Sequence, residues 1–170
     1  MKGPTIKLGD EGAHCEDSFN ALLHAVVLES DARLKLATPV DTGRLRNAWT
    51  IGQNSAPKHG DGVKTKNMPK GRSTTKPVVI ADSATQAVRT ESQRYEGYTR
   101  GNEKVGNNYI IANNMEYAEP VAFGTNLPRS WGGTYRSKQN AVPGYPELIA
   151  KGMEKWAQAE WSRMANSGKY

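Results

Sequence analysis

The alternation of apolar and polar positions predicts a long helix near the start of the chain. Apolar residues recur at helical spacing from Phe19 onward, and this stripe is clear in the first half of the helix and weak in the second. Asp17 or Ser18 is a suitable cap for its beginning. The helix should run to about Ala37 and end before Pro39, because the residue before a proline avoids the helical region.

A second helical pattern occupies the C-terminal part of the chain. Pro146 suits the first position of this helix, where the N–H that proline lacks is not needed. The apolar face then repeats every three or four residues. It is formed by Ile149, Met153, Trp156, Ala157, Trp161 and Met164.

The segments between the helices predict a small sheet. Residues 49–53, 78–83 and 109–113 have the composition of strands, and residues 84–93 are either an extended continuation or a further strand. Residues 117–125 predict a short helix or turn that Gly124 ends, with Tyr117, Val121 and Phe123 directed inward. The order helix, strands, helix favours an α+β fold, in which a small, mostly antiparallel sheet packs against an N-terminal and a C-terminal helix.

The other segments predict loops around one domain. Residues 1–15 are rich in glycine and poor in apolar side chains, and we interpret them as a flexible N-terminal arm. Residues 16–170 then form a single α+β domain with two inserted loops, a basic loop at 54–77 and an irregular loop at 126–145. A length of 170 residues is enough for one domain with its own core. An apolar content of 36% and a mean hydropathy of -0.71 indicate a large polar or partner-covered surface.

Nearly all of the net charge of +6 lies in the loop 54–77. Against one acidic residue, Asp61, this loop carries six cations that could neutralise phosphates, with a strong dependence on salt. It has no aromatic residue, so base stacking within it is excluded. The alternative is a loop that becomes ordered against a partner subunit. The six cations are Lys58, Lys64, Lys66, Lys70, Arg72 and Lys76.

Catalytic patterns in the sequence are weak. His14 adjoins Cys15, which suggests a hydrolase, but no third residue that would orient the pair is evident. His24 lies within the predicted first helix and is best interpreted as structural. We find no metal-ligand spacing and no phosphate-binding glycine loop, so we predict no enzyme activity, no cofactor and no metal site. The single cysteine excludes an internal disulfide and predicts synthesis in a reducing cytoplasm. The start of the chain lacks the apolar stretch of a signal peptide, and no apolar run is long enough to span a bilayer.

Two motifs carry a resemblance to a known family. They are TPVDTGRLRNAW at 38–49 and NNMEYAEPVAFGT at 113–125. Together, in this order, they resemble the tail-completion proteins of long-tailed bacteriophages, which are also called neck, head–tail joining or tail-terminator-like proteins. The chain departs from the family at Ala122, where members often carry a glutamate. The matching positions are Pro39, Asp41, Thr42, Gly43, Leu45 and Arg46, followed by Tyr117, Ala118, Val121, Phe123, Gly124 and Thr125.

The resemblance implies a structural virion protein that is made in the host cytoplasm and has no membrane contact. Such subunits usually assemble as hexameric rings at the head-proximal end of the tail. The ring completes the tail tube, docks on the head connector, adaptor or stopper proteins, and lets DNA pass through its lumen.

At residue level the resemblance implies an interface or structural motif formed by Asp41, Thr42, Gly43, Arg44, Arg46, Tyr117, Phe123, Gly124 and Thr125. Arg44 and Arg46 would pair with acids across a subunit boundary. The basic loop would face the lumen or a neighbouring subunit. The alternative function is a DNA-binding accessory protein that acts through this loop.

Overall fold

A computed structural model describes residues 11–39, 43–58, 94–125 and 143–167. The helices are α1 (Glu11–Ala37), α2 (Arg44–Asn47), α3 (Ala118–Phe123) and α4 (Tyr145–Asn166). The strands are β1 (Thr50–Gln53), β2 (Arg94–Glu96) and β3 (Tyr109–Ala112). The long helices α1 and α4 pack against each other. The predicted α+β class is therefore confirmed, with one helix near each end of the chain.

The sheet is mixed, with the order β2-β1-β3. Strands β1 and β3 are antiparallel, as expected, and pair Ile51 with Ile111. Strands β1 and β2 are parallel and pair Ile51 with Tyr95. The sequence did not predict β2, which has only three residues. The strand predicted at 78–83 lies outside the described residues, as do the alternatives for 84–93 and most of the two inserted loops.

Helix α1 begins earlier than the sequence predicted. It starts at Glu11, so residues 11–15 belong to the helix and not to an arm. Gly12 is exposed there, and a glycine inside a helix costs only about 1 kcal/mol relative to alanine, too little to stop a long helix. Ser18 is not a cap, because its hydroxyl donates to the carbonyl of His14 within the helix. The predicted end at Ala37 is confirmed.

Helix α4 begins within the predicted loop 126–145. Gly144, with a φ of 77°, precedes it, and Tyr145 is its first residue and is buried. Pro146 stands in the first turn, as predicted. Of the predicted apolar face, Ile149, Met153, Trp156 and Met164 are buried.

Within the described residues, the core has two parts, and Ile111 of β3 packs against both. The larger part joins the second half of α1 with Trp49, α3 and α4. The smaller part joins α1 with the sheet through Val27, Leu28, Ile51 and Tyr98. Ile51 is fully buried at the centre of the sheet. Helix α1 therefore contributes residues to both parts of the core, and the first motif begins directly after its end.

Candidate functional site: the joint between the two motifs

The first motif begins at a buried threonine that connects three elements. The Thr38 hydroxyl donates to the Leu34 carbonyl at 2.7 Å, within the last turn of α1. The same oxygen accepts the Trp49 indole N–H at 2.8 Å and lies 3.2 Å from the Tyr145 hydroxyl. Because the threonine proton is already donated, Tyr145 must be the donor in the last contact. One side chain thus ties the end of α1 to the residue before β1 and to the start of α4.

Arg46 returns to the end of α1. The chain reverses at Gly43, whose φ of 78° is left-handed and suits glycine. Arg46 Nη2 then donates to the carbonyls of Thr38 at 2.8 Å and Leu36 at 3.4 Å. The last carbonyls of a helix have no partner within it, so this guanidinium satisfies an end that would otherwise need water. Burial lowers the pKa of Arg46, and the neighbouring Tyr145 opposes that shift.

Arg46 has carbonyl partners in its own chain, because the reversal at Gly43 directs its side chain back toward the helix end. Its pairing with an acid across a subunit boundary stays a prediction. Arg44 is half-buried in α2, and its pairing across a boundary stays a prediction. Asp41 and Thr42 lie outside the described residues.

The second motif is bonded to the first. Asn113, directly after β3, donates from Nδ2 to the Leu45 carbonyl at 2.7 Å. Its Oδ1 accepts the Met115 N–H at 3.3 Å, which fixes the turn into α3. At the other end of α3, the carbonyl of Ala122 accepts the Gly144 N–H at 2.7 Å. The second motif therefore spans from the first motif to the start of α4.

The prediction that three side chains of the second motif point inward is partly wrong. Val121 is buried and Tyr117 is half-buried, but Phe123 is 39% exposed. Positions 118, 121 and 122 share one side of a short helix, and position 123 turns away from it. Ala122 occupies the core instead, together with Trp49 and Tyr145. The tail-completion proteins that the chain resembles often carry a glutamate at the position of Ala122, and a glutamate here would place a carboxylate at a buried position.

Gly124 ends α3, as predicted. Its φ is 69°, a left-handed conformation, and its N–H donates to the Pro120 carbonyl at 2.9 Å. A left-handed glycine is a common way to satisfy the last carbonyls of a helix. Thr125 follows and is exposed.

Two buried ion pairs on α1 were not predicted from the sequence. Arg33 Nε lies 2.8 Å from Glu29 Oε1, and Lys35 Nζ lies 2.6 Å from Asp31 Oδ2. Each of the four side chains is at most 1% exposed. Burial raises the pKa of Asp31 and lowers that of Lys35, and the attraction within the pair opposes both shifts. The i,i+4 spacing was a usable signal, but such pairs are normally found on helix surfaces.

A cluster of hydrogen bonds around Glu103 holds the turn after β2 against α1. His24 Nδ1 lies 2.8 Å from Glu103 Oε1, and the Tyr98 hydroxyl donates to the same oxygen. Burial alone would raise the pKa of Glu103, but these two hydrogen bonds outweigh it and lower the pKa. Burial and the contact with Glu103 raise the pKa of Tyr98. A groove of about 480 Å³ lies between α1 and α4, and its lining includes His24, Glu103 and Arg163.

Of the other predicted residues, Lys58, His14 and Cys15 lie in the described part of the chain. Lys58 is exposed, and its backbone N–H donates to Glu96 at 2.9 Å. Lys64, Lys66, Lys70, Arg72 and Lys76 lie outside the described residues. Cys15 is exposed on α1, one position after the half-buried His14. Within the part of the chain that the structure describes, no group of three His, Cys, Asp or Glu residues is arranged to hold a metal ion.

None of the helices in the described ranges is long and apolar enough to cross a membrane. In comparisons with known proteins, the chain matches no family model, no curated protein and no solved structure.

Proposed function

We propose that the chain is a structural subunit of the neck of a tailed bacteriophage. In this role it forms a ring at the head-proximal end of the tail. The ring is usually a hexamer in the family that the chain resembles. The ring completes the tail tube and joins it to the connector, adaptor or stopper proteins of the head, and DNA passes through its lumen. The role is mechanical and involves no reaction.

One observation carries this proposal: the two motifs that resemble the family form a single joint. They are far apart in sequence, yet Asn113 of the second is bonded to Leu45 of the first. Trp49 of the first and Ala122 of the second lie in the same core cluster, against α4. Residues that hold one joint together are what a family signature in a structural protein requires, and the antiparallel pairing of β1 with β3 brings the two motifs together.

The joint also suits a subunit that must keep its shape under load. It fixes the end of α1, the start of β1 and the start of α4 relative to one another through buried hydrogen bonds. The Thr38 hydroxyl donates one of these bonds and accepts the other two, and a buried group that is satisfied in this way makes its surroundings rigid. The low apolar content agrees with a subunit that gains part of its burial on assembly.

The test uses tails assembled without this protein. Purified protein is added to them, ring formation at the tail ends is followed by electron microscopy, and infectious particles are counted after heads are added. We expect rings at one end of each tail and recovery of infectivity.

A protein that ignores tail ends would overturn the proposal. If it also bound DNA with a steep dependence on salt, the alternative of a DNA-binding accessory protein acting through residues 54–77 would take first place.

A further inference from the structure

Exposed aromatic side chains form a patch where the first half of α1 meets the last part of α4. Phe19 is 50% exposed and Trp161 is 38% exposed, and their rings stack with centroids 5.1 Å apart. Glu16, also exposed, lies three residues before Phe19 and therefore on the same side of α1. We call Glu16, Phe19 and Trp161 the aromatic patch. Two large aromatic side chains that remain accessible beside one acid are typical of a protein-binding surface.

A second patch lies on another side of α4. Leu148 is 43% exposed, and Lys151 and Lys155 are exposed. Their spacing of i, i+3 and i+7 places all three on one side of the helix. We call Leu148, Lys151 and Lys155 the basic patch. It combines an apolar centre with two cations, and the exposed acids Glu147 and Glu154 lie at its edge, about 40–60° around the helix from Lys151. The side of the patch that carries Leu148 and Lys155 is the complement of the aromatic patch.

The two patches cannot meet within one molecule. Leu148 and Trp161 are thirteen positions apart on one straight helix, which is about 20 Å along its axis and about 140° around it. A symmetric contact of either patch with its own copy would bring like charges together, which disfavours it. A contact between the aromatic patch of one copy and the basic patch of the next avoids both the separation within one molecule and the repulsion between like charges.

We propose that copies of this chain associate head to tail, with the aromatic patch of one copy against the basic patch of the next. Leu148 packs on Phe19, while the two lysines approach Glu16 and the accessible face of Trp161, where a cation is attracted to the ring. In such a pair one copy keeps its basic patch unused and the other keeps its aromatic patch unused, so the contact repeats and produces a ring when its rotation closes. Closure into a ring rests on the proposed function, whereas the pairwise contact stands on the two patches alone.

Charge reversal tests the contact on the full chain without tails. The variant Glu16→Lys alters the aromatic patch, and the double variant Lys151→Glu/Lys155→Glu alters the basic patch. Sedimentation velocity over a range of concentrations should show oligomers of the unaltered protein, and dissociation constants weakened by about 10-fold or more in each variant. The controls are Glu116→Lys and the double variant Arg100→Glu/Lys104→Glu, which make the same charge changes at exposed positions outside both patches.

Mixing gives the decisive result. Each altered protein alone places like charges at the contact. In an equal mixture, the new lysine of the Glu16→Lys chains faces the new glutamates of the Lys151→Glu/Lys155→Glu chains, which should restore association. A change in folding of one chain could not be repaired in this way. The inference is overturned if the unaltered protein is monomeric, if the patch variants behave like their controls, or if mixing restores nothing.

The outcomes separate this inference from the proposed function. Oligomers that withstand both charge reversals and still bind tail ends would overturn the contact and leave the neck role standing. Association that mixing restores, in a protein that ignores tails, would do the opposite.

Discussion

The two halves of α1 differ in a way that reverses the expectation from the sequence. The first half, residues 12–26, has the clear apolar stripe, yet only Ser18 in it is buried, eight residues are half-buried and six are exposed; we call it the exposed half. The buried half, residues 27–37, has the weak stripe, yet all of its residues except Ser30 and Leu36 are buried. The difference teaches that a helix surrounded on all sides need not be apolar on all sides.

Paired charges explain the reversal. The segment ESDARLK, residues 29–35, contains two acids, each followed four positions later by a base. Each acid forms an ion pair with its base, so four charged side chains enter the interior as two neutral units. The acid-before-base order at this spacing is the favourable one along a helix. Taking such groups out of water is expensive, so each pair holds only as long as both partners are present.

The largest expected effect comes from breaking one buried pair. Lys35→Met leaves Asp31 charged and buried without its partner, which should lower the free energy of unfolding by about 3–5 kcal/mol. Urea denaturation measures the loss. The matched control is Arg163→Met, because Arg163 is exposed and pairs with the half-buried Glu160, so its removal should cost about 1 kcal/mol or less.

The same variant has a defined pH dependence. Burial raises the pKa of Asp31, so its contribution to stability is fully present below its unfolded pKa and is lost as pH rises through its folded pKa. The deficit of Lys35→Met relative to the unaltered protein should therefore shrink as the pH falls from about 7 toward about 4. The double variant Asp31→Leu/Lys35→Met should recover most of the lost stability, because no unpaired charge remains. Equal losses in the single and double variants would contradict the ion-pair explanation.

A smaller effect should follow directly after the end of the buried half. Thr38→Val keeps the shape of the side chain but removes the oxygen that accepts from Trp49 and Tyr145. Leaving buried donors without an acceptor costs about 1–3 kcal/mol each, so the midpoint of urea unfolding should fall clearly.

Ser30→Ala is the control for this variant. Ser30 makes the same bond to the carbonyl four residues earlier, but within the described ranges its hydroxyl makes none to another element. Its removal should change stability by no more than about 0.5 kcal/mol. Similar losses in the two variants would show that the link between elements contributes nothing.

The smallest effect is expected in the exposed half. Phe19→Ala removes the stack on Trp161, which should cost about 1 kcal/mol in thermal or urea unfolding. A loss as large as that of Lys35→Met would mean that the exposed half contributes to the fold as strongly as the buried half, and the contrast between them would fail.

Most elements could be predicted because their signals are local. Proline at 39 and 146 marks helix boundaries through its own ring, and Gly124 ends α3 through its own backbone freedom. The strand at 109–112 also follows from nearby residues. Strand β2 was missed because three residues carry no periodic signal, and its parallel partner lies some forty positions earlier in the chain.

The candidate joint was predictable in its members but not in its contacts. The sequence singled out Gly43, Arg46, Tyr117 and the turn at Gly124, and the structure places them at the ends of short helices. It could not indicate that Arg46 bonds to the end of α1 or that Phe123 points outward, because both depend on where the chain goes after a reversal. Thr38 and Asn113 were not selected, since a single hydroxyl or amide shows its partners only after folding.

The sequence by itself determined the α+β class, the two long helices and the two motifs, since these depend on periodicity, proline, glycine and short spacing. Tertiary structure alone decided which half of α1 is buried, because neutralised ion pairs can enter an interior that periodicity would assign to apolar residues. It also decided that the two motifs form one joint. Hydrogen bonds between distant segments depend on three-dimensional placement, and no local pattern in the chain records that placement.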